Sequence, residues 1–398
     1  MSAPFAATAE GERHAAYAEL ARRGPVHRIS LPTGVPIWLV TGYEQARSLL
    51  TDPRVVKGGW DGRTRWTPPG QGLPEALSRG LYTHMLTQDP PDHGRLRKLV
   101  GKAFTRRRID LLQPTIAKLA GELLDALRDE ETTDLMATYA APLPIAVITE
   151  LVGVPPEARA DFRGWATPLM SPGILPRERI EAAATALHRY TLDLVATKRA
   201  APRDDLLSDL IAAREDGERL TEDELTSSVY LIVFAGHETT VNLIGNGVLA
   251  LLTHPDQLAK LRAHPELIDR AVEEFLRFDP PVQGTLPYLT TEPVEVAGVT
   301  IPADELVMFA AQAANRDPAV FAAPDTFDIE RERATHLAFG HGVHHCLGAP
   351  LARVQGRIAF EALLDRFPRI RLNVPAHTLT RTPSMVLNAL TTLPVSLR

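Results

Sequence analysis

Cys346 is the only cysteine in a chain of 398 residues. One thiol excludes an intrachain disulfide and fits a reducing compartment, so a cytoplasmic location is expected. Aromatic residues are also scarce, at 6%, while Ala, Leu, Arg and Glu abound. That balance favours helix over sheet. Long uncharged apolar runs are missing as well: the longest apolar helical candidate is interrupted by His237 and Glu238, which disqualifies it as a membrane span. The first residues, Met1 to Arg23, carry Glu10, Glu12, Arg13, Glu19, Arg22 and Arg23 and contain no apolar core of signal-peptide length, so neither export nor an N-terminal anchor is expected. There is no excess of positive charge. A net charge of −6 gives no general reason to bind nucleic acid or an anionic membrane.

What is present, 44% hydrophobic and 23% charged residues, suits a soluble globular protein with a sizeable core. No stretch forces a division, and residues 1–398 are expected to form a single domain. Residues 12–23 read as an amphipathic helix, and Val26 to Val40, broken at Pro32-Thr33-Gly34, as a hairpin. Tyr43 to Leu50 is helical again. From Lys57 to Gln88 the pattern dissolves into Gly, Pro and Trp, which points to a long irregular segment, read as a substrate-facing loop, with a merely mobile segment as the alternative. Ile109, Leu112, Ile116, Leu119, Leu123 and Leu127 then recur at helical spacing. Helices are expected over 145–152, 157–169 and 177–200. Thr221-x-x-Glu224 is a capping box that opens the longest helix, closed near Thr253 by Pro255. Its length of about 33 residues corresponds to roughly 50 Å. A further helix starts at Pro265 or Glu266 and ends at Asp279-Pro280-Pro281. Alternation around Gly298 predicts a small strand pair between Val294 and Pro302. The fold class is therefore mainly α, with β-rich parts near 26–40 and 286–302.

Chemistry concentrates in Phe339-Gly340-His341-Gly342-Val343-His344-His345-Cys346-Leu347-Gly348-Ala349-Pro350-Leu351-Ala352-Arg353. A Gly-x-Gly turn precedes the sulfur and a helix-prone run follows it, placing the thiol at a helix N-terminus, where free N–H groups and the dipole favour a thiolate. The glycines let the backbone approach something large and flat, and Phe339 can shield the sulfur. A buried structural cysteine is one alternative. Zinc is another, since His341, His344, His345 and Cys346 lie close together, although no second Cys/His cluster completes a tetrahedral set.

A second stretch, Ala235-Gly236-His237-Glu238-Thr239-Thr240, lies at the centre of the long helix. Ala235 and Gly236 leave room for a flat ligand. Thr239 can return its hydroxyl to the Ala235 carbonyl and bend the helix locally. An acid, Glu238, beside an alcohol suits proton delivery. The bland alternative is a buried helix with small packing residues.

Taken together, these stretches resemble the cytochrome P-450 family. The first is similar to the family's cysteine loop, F-x-x-G-x-x-x-C-x-G followed by A-P-L-A-R, and the second to its oxygen-activating segment, A-G-x-[DE]-T. Glu274-x-x-Arg277 resembles the family's E-x-x-R, and Phe327 to Arg331 the segment that supplies its third member, Arg331. Asp89-Pro90-Pro91-Asp92-His93-Gly94-Arg95-Leu96-Arg97 is similar to the D-P-P-x-H-x-x-x-R signature. The motifs fall in the family's order from about Arg28 to the C-terminus. The resemblance implies haem b with Cys346 as axial thiolate, a ligand choice that favours O–O cleavage. It implies further haem contacts at His93, Arg97, Ala235, Gly236, Phe339, His344 and Gly348, catalytic roles for Thr239 and Glu238, and a bracing network of Glu274, Arg277 and Arg331.

Two positions depart from the family pattern. Tyr288 stands where an arginine for a haem propionate is common, and a phenol can hydrogen-bond a carboxylate without neutralising it. His345 replaces an apolar residue before the cysteine and is read as a surface histidine. The run Arg95, Arg97, Lys98, Lys102, Arg106, Arg107 and Arg108 contains no acid. By resemblance this is where an acidic ferredoxin docks, itself reduced by an NAD(P)H-dependent reductase; a solvated face and nucleic-acid binding are the alternatives. The implied activity is that of a monomeric soluble monooxygenase that inserts one oxygen atom into a largely apolar small molecule in secondary metabolism. The implied pocket is drawn from the 60–88 loop, Trp165 to Leu175, Leu231 to Ala235, 284–290 and Val386 to Leu390. Oxidative coupling, or a haem-thiolate sensor without turnover, are the alternatives.

Overall fold

The computed structural model describes residues 4–31, 34–58, 74–169, 177–214, 217–332 and 335–398. In chain order the elements are α1 (Glu12–Arg23), β1 (Val26–Ser30), β2 (Pro36–Val40), α2 (Tyr43–Leu49), β3 (Val55–Val56), α3 (Glu75–Tyr82), α4 (Asp92–Ala103), α5 (Arg106–Asp125), β4 (Thr132–Asp134), α6 (Pro142–Val152), α7 (Arg159–Leu169), α8 (Arg177–Ala200), α9 (Leu206–Ala212) and α10 (Glu222–Thr253). There follow α11 (Pro255–Ala263), α12 (Ile268–Phe278), β5 (Tyr288–Thr290), β6 (Val294–Val296), β7 (Val299–Ile301), β8 (Leu306–Phe309), α13 (Ala311–Ala314), α14 (Ala349–Arg366), β9 (Arg371–Leu372) and β10 (Pro394–Ser396). The expected mainly helical fold with minor sheet is what the chain forms. Among the described residues no helix is long and apolar enough to cross a membrane.

Two compact units emerge. The first comprises Met1–Val56, Ile116–Leu143 and Thr239–Arg398; the second comprises Lys57–Thr115 and Pro144–Glu238. All the described strands lie in the first unit. Its five-stranded sheet has the order β1-β2-β8-β5-β3, parallel only at β2 and β8. The expected hairpin is the β1–β2 pair, with Val26 opposite Val40, and the expected pair around Gly298 is β6–β7. Strand β8 is buried along its whole length, as a strand covered on both faces must be. Val40, Tyr43, Leu49, Tyr288, Val307, Phe309, Phe321 and Leu337 share one apolar core. Burial of each such side chain contributes about 1.5–3 kcal/mol. That core joins the sheet to α2 and to Leu337, two residues before Phe339.

Helix α12 buries Ile268, Ala271, Val272, Phe275 and Leu276, the three-and-four spacing of one helical face. It starts one turn later than expected, because Pro265–Leu267 forms a turn of 3-10 helix. Pro255 both closes α10 and opens the separate helix α11. The capping box of α10 is formed: Thr221 N–H donates to Glu224 Oε2 at 2.8 Å, and Glu224 N–H to Thr221 Oγ1 at 3.2 Å. The stretch expected to be irregular over 57–88 contains α3. Residues 59–73 of that stretch, and 170–176 of the expected pocket segment near Trp165, lie outside the described residues.

Candidate active site

Two left-handed glycines shape the cysteine loop, Gly340 at φ 70° and Gly342 at φ 71°. At Gly342 a Cβ would also stand 2.5 Å from the Leu50 carbonyl oxygen, so only glycine fits. Gly340 N–H donates to the Leu337 carbonyl at 2.9 Å, and Cys346 N–H to the Phe339 carbonyl at 2.9 Å. The Cys346 side chain is exposed. It precedes by three residues Ala349, the first residue of the 18-residue helix α14, and Pro350 sits in that helix's first turn. The expected placement at a helix N-terminus is therefore what the chain adopts, in the setting that favours a thiolate. A Cβ at Gly348 would lie 3.8 Å from the sulfur.

Behind the loop, Glu274 and Arg277 have side chains only 3% and 2% exposed. Arg277 donates from Nε and Nη2 to the two Glu274 oxygens, each at 2.7 Å, and from Nη1 and Nη2 to the carbonyls of Asn315, Pro324 and Thr326. All five of its donors are thus used. Arg331 donates to Glu274 from Nε at 3.2 Å and to the carbonyls of Ala322, Ala323 and Thr326. The Asn315 side chain then accepts from Leu337 N–H at 2.6 Å. The network ties together Asn315, Ala322 to Thr326, Arg331 and Leu337 on the approach to the cysteine loop. Arg331, 57 positions from Glu274, is the third member that the resemblance implied.

In the middle of α10, Leu231, Ile232 and Val233 are buried and so is Thr240, yet Ala235 between them is exposed, and Gly236, Glu238 and Thr239 are half-buried. A Cβ at Gly236 would come within 2.8 Å of Ile148. Glu238 Oε1 lies 3.6 Å from His237 Nδ1. Burial pushes the Glu238 carboxyl above its ordinary value. An acid whose carboxyl burial raises keeps its proton to higher pH than an exposed one and is suited to proton transfer.

His93 is buried on α4, and Arg97 is half-buried one turn further on. Burial first, and the Arg97 charge second, push the His93 imidazole below its ordinary value. In the first unit, the Tyr288 ring is buried edge-on to Phe309, with centroids 5.3 Å apart, and edge-on to His344 at 6.1 Å. His345 is exposed, as expected. The first unit therefore holds Thr239, Tyr288, Phe339, His344, Cys346 and Gly348, and the second holds His93, Arg97, Ala235, Gly236 and Glu238.

The basic run of the second unit is less available than its sequence suggests. Arg95 pairs with Glu224, Lys102 donates to the Arg214 carbonyl, and Arg108 reaches Asp209 at 2.6 Å and Asp204 at 2.9 Å. Lys98, Arg106 and Arg107 are exposed.

A second buried network gave no local signal in the sequence. The Arg381 side chain, 3% exposed, donates to Asp279 Oδ2 at 2.7 Å, Glu10 Oε2 at 2.8 Å, Asn388 Oδ1 at 2.9 Å and Asn246 Oδ1 at 3.1 Å. Burial alone would raise the Asp279 carboxyl, but the Arg381 charge, with His14 and Asn388, holds it far below the usual carboxylate range. Gln283, fully buried, donates from its side chain to the Ser384 and Leu387 carbonyls. Together these bonds fix the C-terminal turn against the end of α12.

A planar iron porphyrin with two carboxylates needs an exposed thiolate, a small-residue surface and donors for its acidic edge. Within the first unit, the exposed Cys346 beside a glycine and the nearby His344 fit the thiolate and one donor; within the second, the exposed Ala235 in a buried helical stretch fits the small-residue surface, and His93 and Arg97 are of the donor type. A match to the family described as cytochrome P-450 covers residues 176–389. Cytochrome P-450 107B1 of Saccharopolyspora erythraea is 47% identical over 96% of this chain and 95% of its own. Cytochrome P-450 monooxygenase PikC of Streptomyces venezuelae is 45% identical over 96% of this chain and 90% of its own. The solved structure of the bacillaene polyketide synthase cytochrome P-450 PksS of Bacillus subtilis 168 superposes with a TM-score of 0.90 at 38% identity, covering the whole of both chains. With the cysteine loop, the E-x-x-R network and these likenesses in agreement, the chain belongs to the cytochrome P-450 family, whose members carry haem b on a cysteine thiolate.

Proposed function

We propose that this monooxygenase inserts one oxygen atom into a largely apolar small molecule as a tailoring step of secondary metabolism, with a polyketide as the first substrate class to test. The observation that carries the reading is the exposed Cys346 thiol, fixed by its backbone bond to Phe339 at the start of α14. Cys346 would be the axial ligand of haem b, which when bound supplies the activation of dioxygen. His93, Arg97 and His344 would donate to the propionates, with the Tyr288 phenol in place of the commoner guanidinium. Ala235, Gly236 and Gly348 would leave the porphyrin faces clear, and Phe339 would keep water from the sulfur. Glu238 and Thr239 would hold and pass the protons that oxygen reduction consumes. The buried run Leu231 to Val233 and the half-buried Val386 and Leu387 are apolar, which supports an apolar substrate. The name of PksS associates that relative with a polyketide synthase, which supports the choice of class. Electrons would arrive singly from a ferredoxin served by an NAD(P)H-dependent reductase, docking on the exposed part of the Lys98 to Arg107 run, with the enzyme acting as a monomer in the cytoplasm.

A spin-state titration of the haem-loaded protein with a panel of macrolides and other polyketides, fatty acids and steroids tests the substrate class. A low-to-high-spin shift with polyketides, followed by a product one oxygen heavier in reconstituted turnover, is expected. A shift with fatty acids or steroids alone would contradict the polyketide assignment.

A further inference from the structure

Helix α12 carries two consecutive glutamates, and Glu274 alone belongs to the E-x-x-R network. Glu273 faces Arg353 of α14 instead. Arg353 donates to it from Nε at 2.6 Å and from Nη2 at 2.9 Å, the bidentate fork that fixes a guanidinium plane. The Arg353 guanidinium carbon lies 4.5 Å from the centroid of the Phe339 ring, within cation–π range. The His336 ring lies 5.8 Å from the same ring at 45°. Ala338 N–H donates to His336 Nδ1 at 3.3 Å. Nε2 lies 3.3 Å from Glu273 Oε2. Burial alone would raise the Glu273 carboxyl; His336 and Arg353 hold it down to about 2. One carboxylate thereby fixes the Arg353 guanidinium by two hydrogen bonds and lies beside the His336 ring, the two groups that flank one aromatic ring.

Phe339 is also the residue whose carbonyl accepts the Cys346 N–H. Any shift of Phe339 is passed to the backbone that carries the sulfur. We propose that Glu273, Arg353 and His336 are positioning residues: they clamp Phe339, and through its carbonyl Cys346, so that the sulfur stays an iron-ligating thiolate. The clamp rests on the haem-thiolate reading of Cys346. It adds that a charge cluster separate from the E-x-x-R network governs how firmly that ligand is kept.

The test uses the full-length, haem-loaded protein, reduced and saturated with carbon monoxide. The rate at which the thiolate-type Soret band converts to the blue-shifted thiol-type band is followed, with the iron–sulfur stretching frequency of the ferric protein as a second readout. Glu273→Gln and Arg353→Met are expected to speed conversion about threefold or more, the scale of a lost cation–π contact, and to shift the stretching frequency, with the unfolding midpoint near that of the wild type. The double variant is expected to be no worse than the worse single one, because both break the same clamp. Arg353→Lys, which keeps the charge and loses the fork, should fall between. Should Glu273→Gln fail to take up haem, Arg353→Met, at a side chain 41% exposed, still gives both readouts. Wild-type conversion rates and frequencies in the two Arg353 variants would overturn the clamp. So would an equal acceleration in Arg357→Gln, a charge change on the same helix. A wild-type protein that shows no thiolate-type band at all would overturn the haem-thiolate reading, and the clamp with it.

Discussion

In the first unit, Arg277 and Arg381 have side chains 2% and 3% exposed and are enclosed by acids, amides and carbonyls. In the second unit, Arg106 is 85% exposed with Asp110 at 3.5 Å, and Arg199 meets Glu222 in an ion pair open to solvent. The chemistry of the pairs is the same, and burial makes the difference. A buried pair is costly to form and more costly to break, since removal of one partner strands the other charge away from water. An exposed pair contributes little to stability and is screened by salt. The first unit therefore uses charge to hold the approach to Cys346 in a single arrangement. Arg106 and Arg199 of the second keep theirs at the surface, although that unit too buries one ion pair, Lys198 with Asp205.

The most severe way to break this contrast is at the E-x-x-R network. Glu274→Gln or Arg277→Met should cost about 3–5 kcal/mol and abolish most haem uptake, read from a denaturant midpoint and the ratio of haem to protein absorbance. Haem loading and a midpoint near those of the wild type would remove the bracing role. The next effect appears on acidification. Asp279 and Glu273 are both held below their ordinary values, so the stability they contribute is present above the unfolded carboxylate value of about 4 and is lost as pH falls towards the folded values. Asp279→Asn should flatten that acid limb, whereas Arg106→Gln should leave it unchanged; an unaltered limb in Asp279→Asn would show that the network does not set it.

Smaller and more local effects are expected in the middle of α10. Thr239→Ala should leave folding intact and lower product formed per oxygen consumed several-fold; full coupling would remove its place in proton delivery. Glu238 is shifted in the opposite direction to Asp279, because burial alone acts on it. The protonated form is therefore favoured by the fold, and its contribution is lost as pH rises through the folded value. Coupling should decline along that alkaline limb in the wild type and become independent of pH there in Glu238→Gln. An unchanged limb in that variant would assign the titration elsewhere. The smallest effect on stability belongs to the surface. Replacing Arg106 and Arg107 with Glu should leave the unfolding midpoint in place while slowing electron transfer from a reduced ferredoxin and weakening its salt dependence; an unchanged rate would move the docking face away from this run.

What could be read from the sequence was what is local. The capping box needed Thr221 and Glu224 three residues apart, and the glycine turn needed only Gly340 and Gly342. The hairpin from Val26 to Val40 and the pair around Gly298 carried their own alternation. Strand β8 did not: Leu306–Phe309 is buried on both faces and has no period of two to detect. Pairing over long separations left no trace either. Arg381 meets Glu10 and Asp279 only in the folded chain, and Glu273 has the sequence environment of any surface acid. Arg331 was placed by family resemblance, since nothing near it in the chain marks it as the partner of Glu274. The basic run misled in part for the same reason, because Glu224, Asp204 and Asp209, which engage Arg95 and Arg108, lie about a hundred residues away.

The central claim is that Cys346 is the thiolate ligand of a haem. The absorption spectrum of the reduced, carbon-monoxide-bound protein tests it most directly. A red-shifted Soret band of the thiolate type is predicted for the wild type, with its loss in Cys346→Ser. A folded, haem-loaded wild-type protein without that band would contradict the account.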